Sequence, residues 1–439
     1  MIGATLAKAA SDPTIYEKEY DLVLIDEASM AYIPQMAFAA SLAKRTIICG
    51  DFKQLPPIAV GRHSLINEWL KKDIFQKSGV THSVNNGELH PHLVLLKEQR
   101  RMHPDISAFT NKEIYHSLVS DHPSVKELRQ ELVKGEPFSN LASILIDVSF
   151  TGQHCVTEKL SKSRFNLWQL LISFQIIYES YLSGIKSIGY VTPYRSQSVL
   201  MEYLLEDIFQ NERSVADIIS ATVHRFQGSE RDVMIFDTVD SYPQERPGML
   251  LIGQDSERLI NVAITRTKGK FVQVSDTSFI HKQVSQTKTL RRLVEHQLNH
   301  GQAIFPKDIG SWIKNQHPKL NWIHARRIER VMEDIKHAHR SIILSFPNNG
   351  TISSEWLTQL NKRKDGIKLT LVSSADIPKL KIDATVKIPI PFPFVLIDEK
   401  ILWLGLPFEG ADRVRPPFVA ARLESEAVGK FLIAQFSIV

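Results

Sequence analysis

The chain has 439 residues, a formal net charge of +5, 43% hydrophobic residues and 23% charged residues. This length predicts two or three domains with sizeable cores, and the composition excludes a disordered, fibrous or membrane-spanning protein. The first residues lack a signal-peptide pattern, and two cysteines, Cys49 and Cys155, give no disulfide framework or metal spacing, so we expect a cytoplasmic protein.

The positive charge is unevenly distributed along the chain. Residues 281–330 contain ten Lys and Arg, five His and only three Asp and Glu, which leaves the other segments close to neutral. A basic segment of this kind suits a polyphosphate partner, although a solvated connecting segment explains it equally well. We predict a basic linker at residues 281–320.

The first 92 residues have the pattern of a parallel α/β domain. Strands are predicted at residues 1–6, 21–25 and 46–49, with a helix at 34–43 and a helical connection at 61–92. The second and third strands are fully apolar, which predicts burial on both faces, and each ends in polar residues: Asp26-Glu27 and Gly50-Asp51-Phe52-Lys53-Gln54. Adjacent carboxylates at such strand ends can hold Mg²⁺ through water and polarise an attacking water.

Two further α/β units are predicted downstream. Residues 93–280 contain predicted strands at 93–96, 141–148, 188–194, 218–223, 233–238 and 271–274, and helices at 104–115, 166–183, 195–209 and 256–267. Residues 321–439 contain predicted helices at 323–338 and 353–363 and strands at 341–346, 367–372, 394–397 and 401–404. For residues 415–439 the pattern predicts a strand followed by a helix or a second strand.

Six short motifs occur at strand ends and turns of the first two units. They are Asp26-Glu27-Ala28-Ser29, Gly50-Asp51-x-x-Gln54-Leu55-Pro56-Pro57, Gln99-Arg100-Arg101-Met102-His103-Pro104, Thr192-Pro193-Tyr194-Arg195-x-Gln197, Thr222-Val223-His224-x-Phe226-Gln227-Gly228-x-Glu230 and Asn261-Val262-Ala263-Ile264-Thr265-Arg266. In this order they resemble the core of superfamily 1 helicases, most closely the up-frameshift-like branch that translocates 5′ to 3′. The resemblance covers roughly residues 1–280. It implies two RecA-like parallel-sheet domains, the first incomplete, at residues 1–92 and 93–280.

The resemblance further implies an ATP-dependent helicase or translocase with ATP and Mg²⁺ as cofactors. In the first domain, Asp26 would hold Mg²⁺ through its water shell. Glu27 would orient and deprotonate the attacking water, and Gln54 would contact the γ-phosphate or that water. Each of these side chains taken alone is more often part of a surface ion pair or a polar turn, so the interpretation depends on the ordered set.

The second domain would supply the opposing half of the nucleotide site. Arg101 and Arg266 would act as arginine fingers, because a planar guanidinium suits a terminal phosphate held between domains. Arg100 is the weaker alternative to Arg101. Gly228 and Glu230 would approach the phosphate and the ribose.

A second group of residues would contact single-stranded nucleic acid, either DNA or RNA. Hydroxyl, amide and ring side chains at strand ends can hold a sugar-phosphate backbone without reading its sequence. The residues are Thr5, Pro56, Pro57, Thr192, Tyr194, Gln197, Thr222 and His224.

One element of the family pattern is absent from the sequence. A P-loop needs Gly-x-x-x-x-Gly-Lys-Ser/Thr, and the only two Gly-Lys pairs, Gly269-Lys270 and Gly429-Lys430, are both followed by Phe. We expect either that the chain is a portion of a longer helicase, which we favour, or that a second chain supplies the P-loop. In both cases the chain alone is predicted to lack ATP turnover.

The C-terminal unit has a resemblance of its own. Residues 323–410 resemble half of a phospholipase-D-like domain of the kind appended to some bacterial superfamily 1 helicases. The resemblance depends on the predicted order helix–strand–helix–strand, followed by the stretch from Phe394 to Gly405 with Asp398 after a run of apolar residues. The family's His-x-Lys is replaced by Pro391 and Pro393, which implies a degenerate, non-catalytic copy. An unrelated small α/β domain is the alternative.

Three functions therefore remain open from the sequence. The first is a helicase whose P-loop is not in this chain, and the second is a non-catalytic module, derived from a helicase, that binds nucleic acid or a partner. A phospholipase-D-type nuclease is a weaker third, because Pro391 and Pro393 argue against it. The combination of units also resembles bacterial anti-phage defence proteins.

Overall fold

The computed structural model of the protein describes residues 1–88, 90–150, 155–226, 228–347, 351–389 and 391–437. Its strands form one two-stranded parallel sheet, one six-stranded parallel sheet, one seven-stranded mixed sheet and two short strand pairs. In these residues, none of the helices combines the length and the apolar character that crossing a bilayer requires.

The first unit is small and built around two strands. Its elements are α1 (Leu6–Ser11), α2 (Pro13–Tyr16), β1 (Val23–Ile25), α3 (Ile33–Ser41), β2 (Thr46–Ile48), α4 (Ser64–Trp69), α5 (Ile74–Lys77) and α6 (Val80–Asn85). β1 and β2 pair in parallel. The predicted strand at 1–6 is wrong, because Thr5 caps a helix: its hydroxyl accepts a hydrogen bond from Lys8 N at 3.1 Å.

The two apolar strands of this unit are not enclosed. Leu24 is 60% exposed and Ile47 is 49% exposed, so the prediction that both faces are buried is wrong for the described part of the chain. Two strands with helices around them form only a small core, which includes Ile25, Met36 and Phe52. The open apolar surface beside β1 and β2 is the main irregularity of the fold.

The second unit is a complete parallel α/β domain. It contains β3 (Glu98–Gln99), α7 (Pro104–Glu113), β4 (Ser120–Asp121), α8 (Val125–Lys134), β5 (Ser143–Asp147), β6 (Val156–Thr157), β7 (Arg164–Phe165), α9 (Leu167–Leu182), β8 (Ser187–Thr192), α10 (Arg195–Ile208), α11 (Gln210–Arg213), β9 (Asp217–Thr222), β10 (Arg231–Asp237), α12 (Met249–Ile252), α13 (Ser256–Thr265), β11 (Thr267–Ser275), α14 (Thr277–Gln283), α15 (Thr289–Asn299) and β12 (Ala303–Ile304). Its sheet has the order β12-β5-β11-β10-β8-β9.

Two predictions for this unit are corrected. The apolar residues 93–96 form no strand: Val94 is 86% exposed and Leu96 is 83% exposed, since no described strand pairs with them. The predicted basic linker at 281–320 contains α15, which buries Leu290 and Leu293, and β12, which pairs in parallel with β5. Arg291 and Arg292, the two cations of α15, are half-buried and form ion pairs with Glu295 and Glu113.

The third unit is a mixed sheet with helices. It contains β13 (Leu320–His324), α16 (Glu329–Lys336), β14 (Ser341–Ser345), α17 (Ser354–Asn361), β15 (Lys368–Ser373), β16 (Ala384–Lys387), β17 (Phe394–Ile397), β18 (Ile401–Leu404), β19 (Val419–Glu424) and α18 (Glu426–Phe436). The strand order is β13-β19-β18-β17-β14-β15-β16. The predicted helix at 323–338 is wrong at its start, because residues 320–324 pair as an edge strand with β19.

The third unit shares a hydrophobic core with the second. Trp168 of α9 and Trp322 of β13 pack edge to face, with ring centroids 5.7 Å apart and an interplanar angle of 82°. Trp322 Nε1 donates to Gln175 Oε1 at 3.0 Å, and Ser425 Oγ donates to Asp207 Oδ2 at 2.7 Å. These contacts fix the two units to each other.

Candidate functional site

Arg266 joins the first unit to the second. It follows the last residue of α13, and its Nη2 donates to Gln54 Oε1 at 2.6 Å and lies 3.7 Å from Glu27 Oε1. Arg266 is only 3% exposed, and burial lowers the pKa of its guanidinium while Glu27 opposes that effect. Three residues predicted for the nucleotide site therefore lie together.

The Glu27 backbone is held in an unusual conformation at the end of β1. Its φ is 50°, in the left-handed region that side chains other than Gly rarely adopt. Asp26 Oδ1 accepts a hydrogen bond from Glu27 N at 2.8 Å, and both carboxylates are exposed. Ala28 N donates to Cys49 O at 3.0 Å, which ties the end of β1 to the end of β2. The strained turn places both carboxylates at the carboxyl edge of the sheet.

Gln54 is positioned by a chain of hydrogen bonds across the two units. Gln54 Nε2 donates to Asp51 Oδ2 at 3.1 Å, and Tyr115 Oη donates to the same oxygen at 2.6 Å. Asn261 Nδ2 donates to Tyr115 Oη at 2.8 Å and to Lys53 O at 3.0 Å. Burial raises the pKa of Tyr115 far above its ordinary value, so its hydroxyl remains a donor to Asp51. Sequence reasoning missed Tyr115, because it belongs to no motif.

Two ion pairs also hold the units against each other. Arg258 Nη2 lies 3.0 Å from Asp73 Oδ2, and Asp73 is fully buried. Lys53 Nζ lies 3.2 Å from Glu257 Oε1. Burial raises the pKa of Asp73, and Arg258 opposes this. Both pairs use residues of the first turn of α13, the helix that Arg266 directly follows.

The two candidate arginines of the Gln-Arg-Arg-Met-His-Pro motif have different surroundings. Arg101 Nε donates to Glu230 Oε2 at 2.8 Å, and its Nη1 donates to Thr265 O at 3.1 Å, next to Arg266. The Arg100 side chain is 68% exposed and pairs with Glu98 at 3.1 Å. The structure therefore places Arg101, and not Arg100, beside the site.

Glu230 and Gly228 lie on the turn before β10. Burial acts to raise the pKa of Glu230, but Lys268 and Arg101 lower it on balance. Gly228 has a φ of 84° and no neighbouring atom within 4 Å of an added Cβ, so its surroundings are open. Gln227, which also belongs to this motif, lies outside the described residues.

Three residues predicted to contact nucleic acid have internal roles. Thr192 and Gln197 are 0% exposed, and Tyr194 is 7% exposed. Gln197 Nε2 donates to Asp237 Oδ2 at 2.7 Å, and Tyr194 Oη donates to Asp240 Oδ1 at 2.7 Å. We correct the prediction that these three residues contact nucleic acid, because their side chains are buried and hydrogen-bonded inside the domain.

The remaining predicted nucleic-acid residues lie on both units. Thr222 and His224 are half-buried near the end of β9, where Thr222 is the cross-strand partner of Thr192, and burial lowers the pKa of His224. In the first unit, Pro56 is half-buried and Pro57 is buried, whereas Thr5 caps α1.

Among the described residues of the C-terminal unit, the positions expected for a phosphoryl-transfer site hold prolines and a carboxylate with a structural role. Pro391 is buried and Pro393 is half-buried before β17. The Asp398 carboxylate accepts backbone hydrogen bonds from His339, Arg340 and Ser341 at 2.7–3.1 Å. Asp398 therefore fixes the turn before β14, a structural role.

Comparison with known proteins gives two family matches. Residues 1–61 and residues 75–278 each match a family described as an AAA domain. The chain is 26% identical over 300 residues to mouse "5'-3' DNA helicase ZGRF1", covering 67% of this chain and 14% of the relative. It is also 26% identical over 308 residues to "DNA-binding protein SMUBP-2" from Mesocricetus auratus, covering 68% of this chain and 29% of the relative.

Solved structures show only a weak likeness. The DNA complex of Arterivirus nonstructural protein 10, a helicase, covers 58% of this chain and 38% of its own, with 14% identity and a TM-score of 0.28, which is too low to support an argument. The matches to curated relatives also leave most of each relative uncovered, 86% of one and 71% of the other. Residues 1–61 and 75–278 are therefore similar to AAA domains, and the relatives aligned with this part of the chain are named as a helicase and a DNA-binding protein.

Proposed function

We propose that the chain forms the γ-phosphate-facing part of an ATP-dependent helicase or translocase that acts on single-stranded nucleic acid. The observation that carries the proposal is the contact of Arg266 with Gln54 at 2.6 Å and Glu27 at 3.7 Å across the two units. A carboxylate, an amide and a buried guanidinium are the groups that phosphoryl transfer requires for water activation and charge stabilisation. The names of the relatives supply DNA as one candidate strand and 5′-3′ as the candidate direction.

The donor set fits a bound nucleotide. Arg266 Nε is buried without a hydrogen-bond partner among the described residues, and an anionic ligand would satisfy it. Glu27 would take the proton of the attacking water, while Gln54 would orient that water, and Arg101 would add positive charge beside Arg266. Gly228 and Glu230 would lie nearer the ribose and phosphate.

Asp26 is the proposed link to Mg²⁺, whose chemistry is to neutralise phosphate charge. Among residues that the structure describes, no three His, Cys, Asp or Glu side chains form a metal-binding group. Mg²⁺ usually keeps several waters and takes one or two carboxylates together with phosphate oxygens, so a single exposed carboxylate such as Asp26 is a suitable protein ligand.

The open surface of the first unit supports the proposal that its P-loop is supplied by a further segment or chain. Leu24 and Ile47 are exposed on strands whose composition is typical of a buried parallel sheet. An added strand would cover part of this surface and would bring a phosphate-binding loop to the edge that carries Asp26 and Glu27.

The test is ATP hydrolysis with and without poly(dT) or poly(U). The 439-residue chain is expected to give no turnover, because Gly-x-x-x-x-Gly-Lys-Ser/Thr occurs nowhere in it. Addition of a Walker A segment, coded in frame upstream or by a neighbouring gene, is expected to give nucleic-acid-stimulated turnover. Turnover by the chain alone would contradict the assignment of the phosphate-binding role to another segment.

The second candidate is a non-catalytic binding module, which the missing Walker A motif favours. It predicts that the chain binds single strands and that no Walker A segment restores hydrolysis. The two functions are therefore separated by the same assay, provided that strand binding is measured in parallel.

A further inference from the structure

An exposed cluster of cationic and aromatic side chains lies at the outer edge of the third unit. We call it the β13-edge surface and define it by Lys307, His324, Arg326, Arg327 and Phe418. His324 ends β13, and its ring lies nearly parallel to that of Phe418, with an interplanar angle of 14° and centroids 6.4 Å apart. Ala325 N donates to Phe418 O at 2.7 Å, so the backbone fixes this pair of rings.

A shallow cavity of about 380 Å³ adjoins the two rings. Its lining includes Lys307, Trp322, His324 and Phe418. Trp322 is itself anchored by its bond to Gln175 of the second unit, so the floor of the cavity is rigid. An aromatic pair beside a groove of this size can accept planar groups by stacking.

The cations of this surface are not used by the fold. Lys307, Arg326 and Arg327 are exposed, and in the described ranges their side chains make no ion pair or hydrogen bond. By contrast, the nearby Arg422 is held by Asp334 at 2.7 Å. Asp308 and Glu329 are the adjacent acidic residues in the sequence, so positive charge predominates. Arg326 and Arg327 follow His324 by two and three residues, and guanidinium groups close to an aromatic pair are suited to phosphates joined to planar bases.

We propose that the β13-edge surface binds single-stranded nucleic acid, with Arg326, Arg327 and Lys307 on phosphates and with His324 and Phe418 stacking on bases. The proposal rests on the proposed function only in its choice of ligand, and it requires no ATP turnover. An acidic peptide would use the cations but not the ring pair, which is why a nucleic acid is favoured. Because the third unit is fixed to the second, a strand held here would stay in register with the helicase domains.

The contribution of the arginine charges to strand binding is tested with the double variant Arg326→Ala/Arg327→Ala of the 439-residue chain. Binding of fluorescein-labelled dT20 and rU20 is followed by anisotropy over a series of salt concentrations. The dissociation constant is expected to rise about tenfold at low salt. The slope of its logarithm against the logarithm of salt concentration is expected to fall by about 1.4, or about 0.7 for each lost phosphate contact.

The matched control is Lys362→Ala/Lys364→Ala, which removes the same charge from exposed residues at the other side of the same sheet. Lys364 precedes β15, which lies five strands away from β13, or about 24 Å at ~4.8 Å per strand. This control is expected to change the dissociation constant less than twofold. Equal effects of the two double variants would overturn the proposal.

Stacking is tested with Phe418→Ala and, in case that change unfolds the edge, with His324→Ala. Each is expected to weaken binding about fivefold or more with an unchanged salt slope, since base stacking involves no charge on the side chain. A thermal melting midpoint within about 3 °C of that of the parent chain establishes that the fold is retained. Poly-glutamate that competes as well as dT20 would identify an acidic-protein surface and overturn the proposal. Strand binding that none of these variants weakens would also overturn it, while leaving the proposed function intact.

Discussion

Arg266 is the residue on which the proposed chemistry depends most directly. It is nearly buried, its Nη2 contacts Gln54 and Glu27, and its Nε has no partner among the described residues. In the chain completed with a Walker A segment, Arg266→Ala is expected to lower kcat by about 10³-fold or more, because an arginine finger typically contributes ~10³–10⁵. The measurement is strand-stimulated ATP hydrolysis under saturating ATP.

The control for this substitution is Arg100→Ala, which removes an exposed guanidinium paired with Glu98. Its kcat is expected to stay within about threefold of the parent, because exposed ion pairs contribute ~0–1 kcal/mol. Arg266→Lys should also be strongly impaired, since an ammonium lacks the planar fork. A larger loss in Arg100→Ala than in Arg266→Ala would contradict the assignment.

The proximity of Glu27, Gln54 and Arg266 could be predicted from the sequence because the ordered motifs that resemble superfamily 1 helicases assign all three to one site. The buried positions of Thr192 and Gln197 could not be predicted, because a motif fixes where a residue lies along the chain and not which way its side chain points. Gln197 points into the domain, where Asp237 and Asn166 bind both ends of its amide. Tyr115 could not be found either, since its hydrogen bond to Asp51 spans 64 positions of sequence.

At the scale of elements, composition misled the prediction for residues 281–320. The segment is basic overall, yet α15 presents Leu290, Leu293 and Val294 inward, together with the buried Gln297. A mean charge over a window hides such a helix, whereas the period of its apolar residues reveals it. The predicted strand at 93–96 failed for the opposite reason: its residues are apolar, but no described neighbouring strand is available to pair with them.

The docking of α15 predicts a pH dependence. His296 of α15 packs against Phe109 and stacks on His300 at 4.1 Å, with Glu113 and Lys112 also facing it. Burial and the neighbouring His300 lower the pKa of His296 to about 4, from about 6.5. Between these values the unfolded chain binds a proton that the folded chain does not. The stability of the folded chain that depends on a neutral His296 is therefore fully present above pH 6.5 and is lost as the pH falls from 6.5 towards 4.

His296→Phe should remove this dependence, because Phe can keep the ring contact with Phe109 and cannot be protonated. Between pH 7 and pH 5 the parent chain is expected to lose about 1 kcal/mol more stability than the variant. Thermal unfolding at both pH values measures the difference. His339→Phe, at an exposed position, is the control and should behave as the parent does. Equal pH dependence of the parent and His296→Phe would show that α15 does not shield this ring.

At the scale of the whole molecule, the two larger units behave as one structural body. Their sheets share a continuous core in which Trp168, Phe165 and Gln175 of the second unit contact Trp322 and Phe431 of the third. Most strands of the third unit could be predicted from their apolar runs, such as 394–397 and 401–404. Its attachment could not, because the contacts join residues that are more than 140 positions apart.

This shared core predicts cooperative unfolding of the second and third units. Trp322→Ala should cost about 3–5 kcal/mol and split one calorimetric transition into two, since the edge-to-face contact with Trp168 and the bond to Gln175 are both lost. Trp69→Ala in the first unit, where the ring is 40% exposed and lies under Lys77, is the matched control and should leave the transition whole. Two separate transitions in the parent chain would mean that the third unit is only tethered to the second. A strand bound at the β13-edge surface would then move independently of Arg266, so this measurement also decides whether that surface can act in register with the nucleotide site.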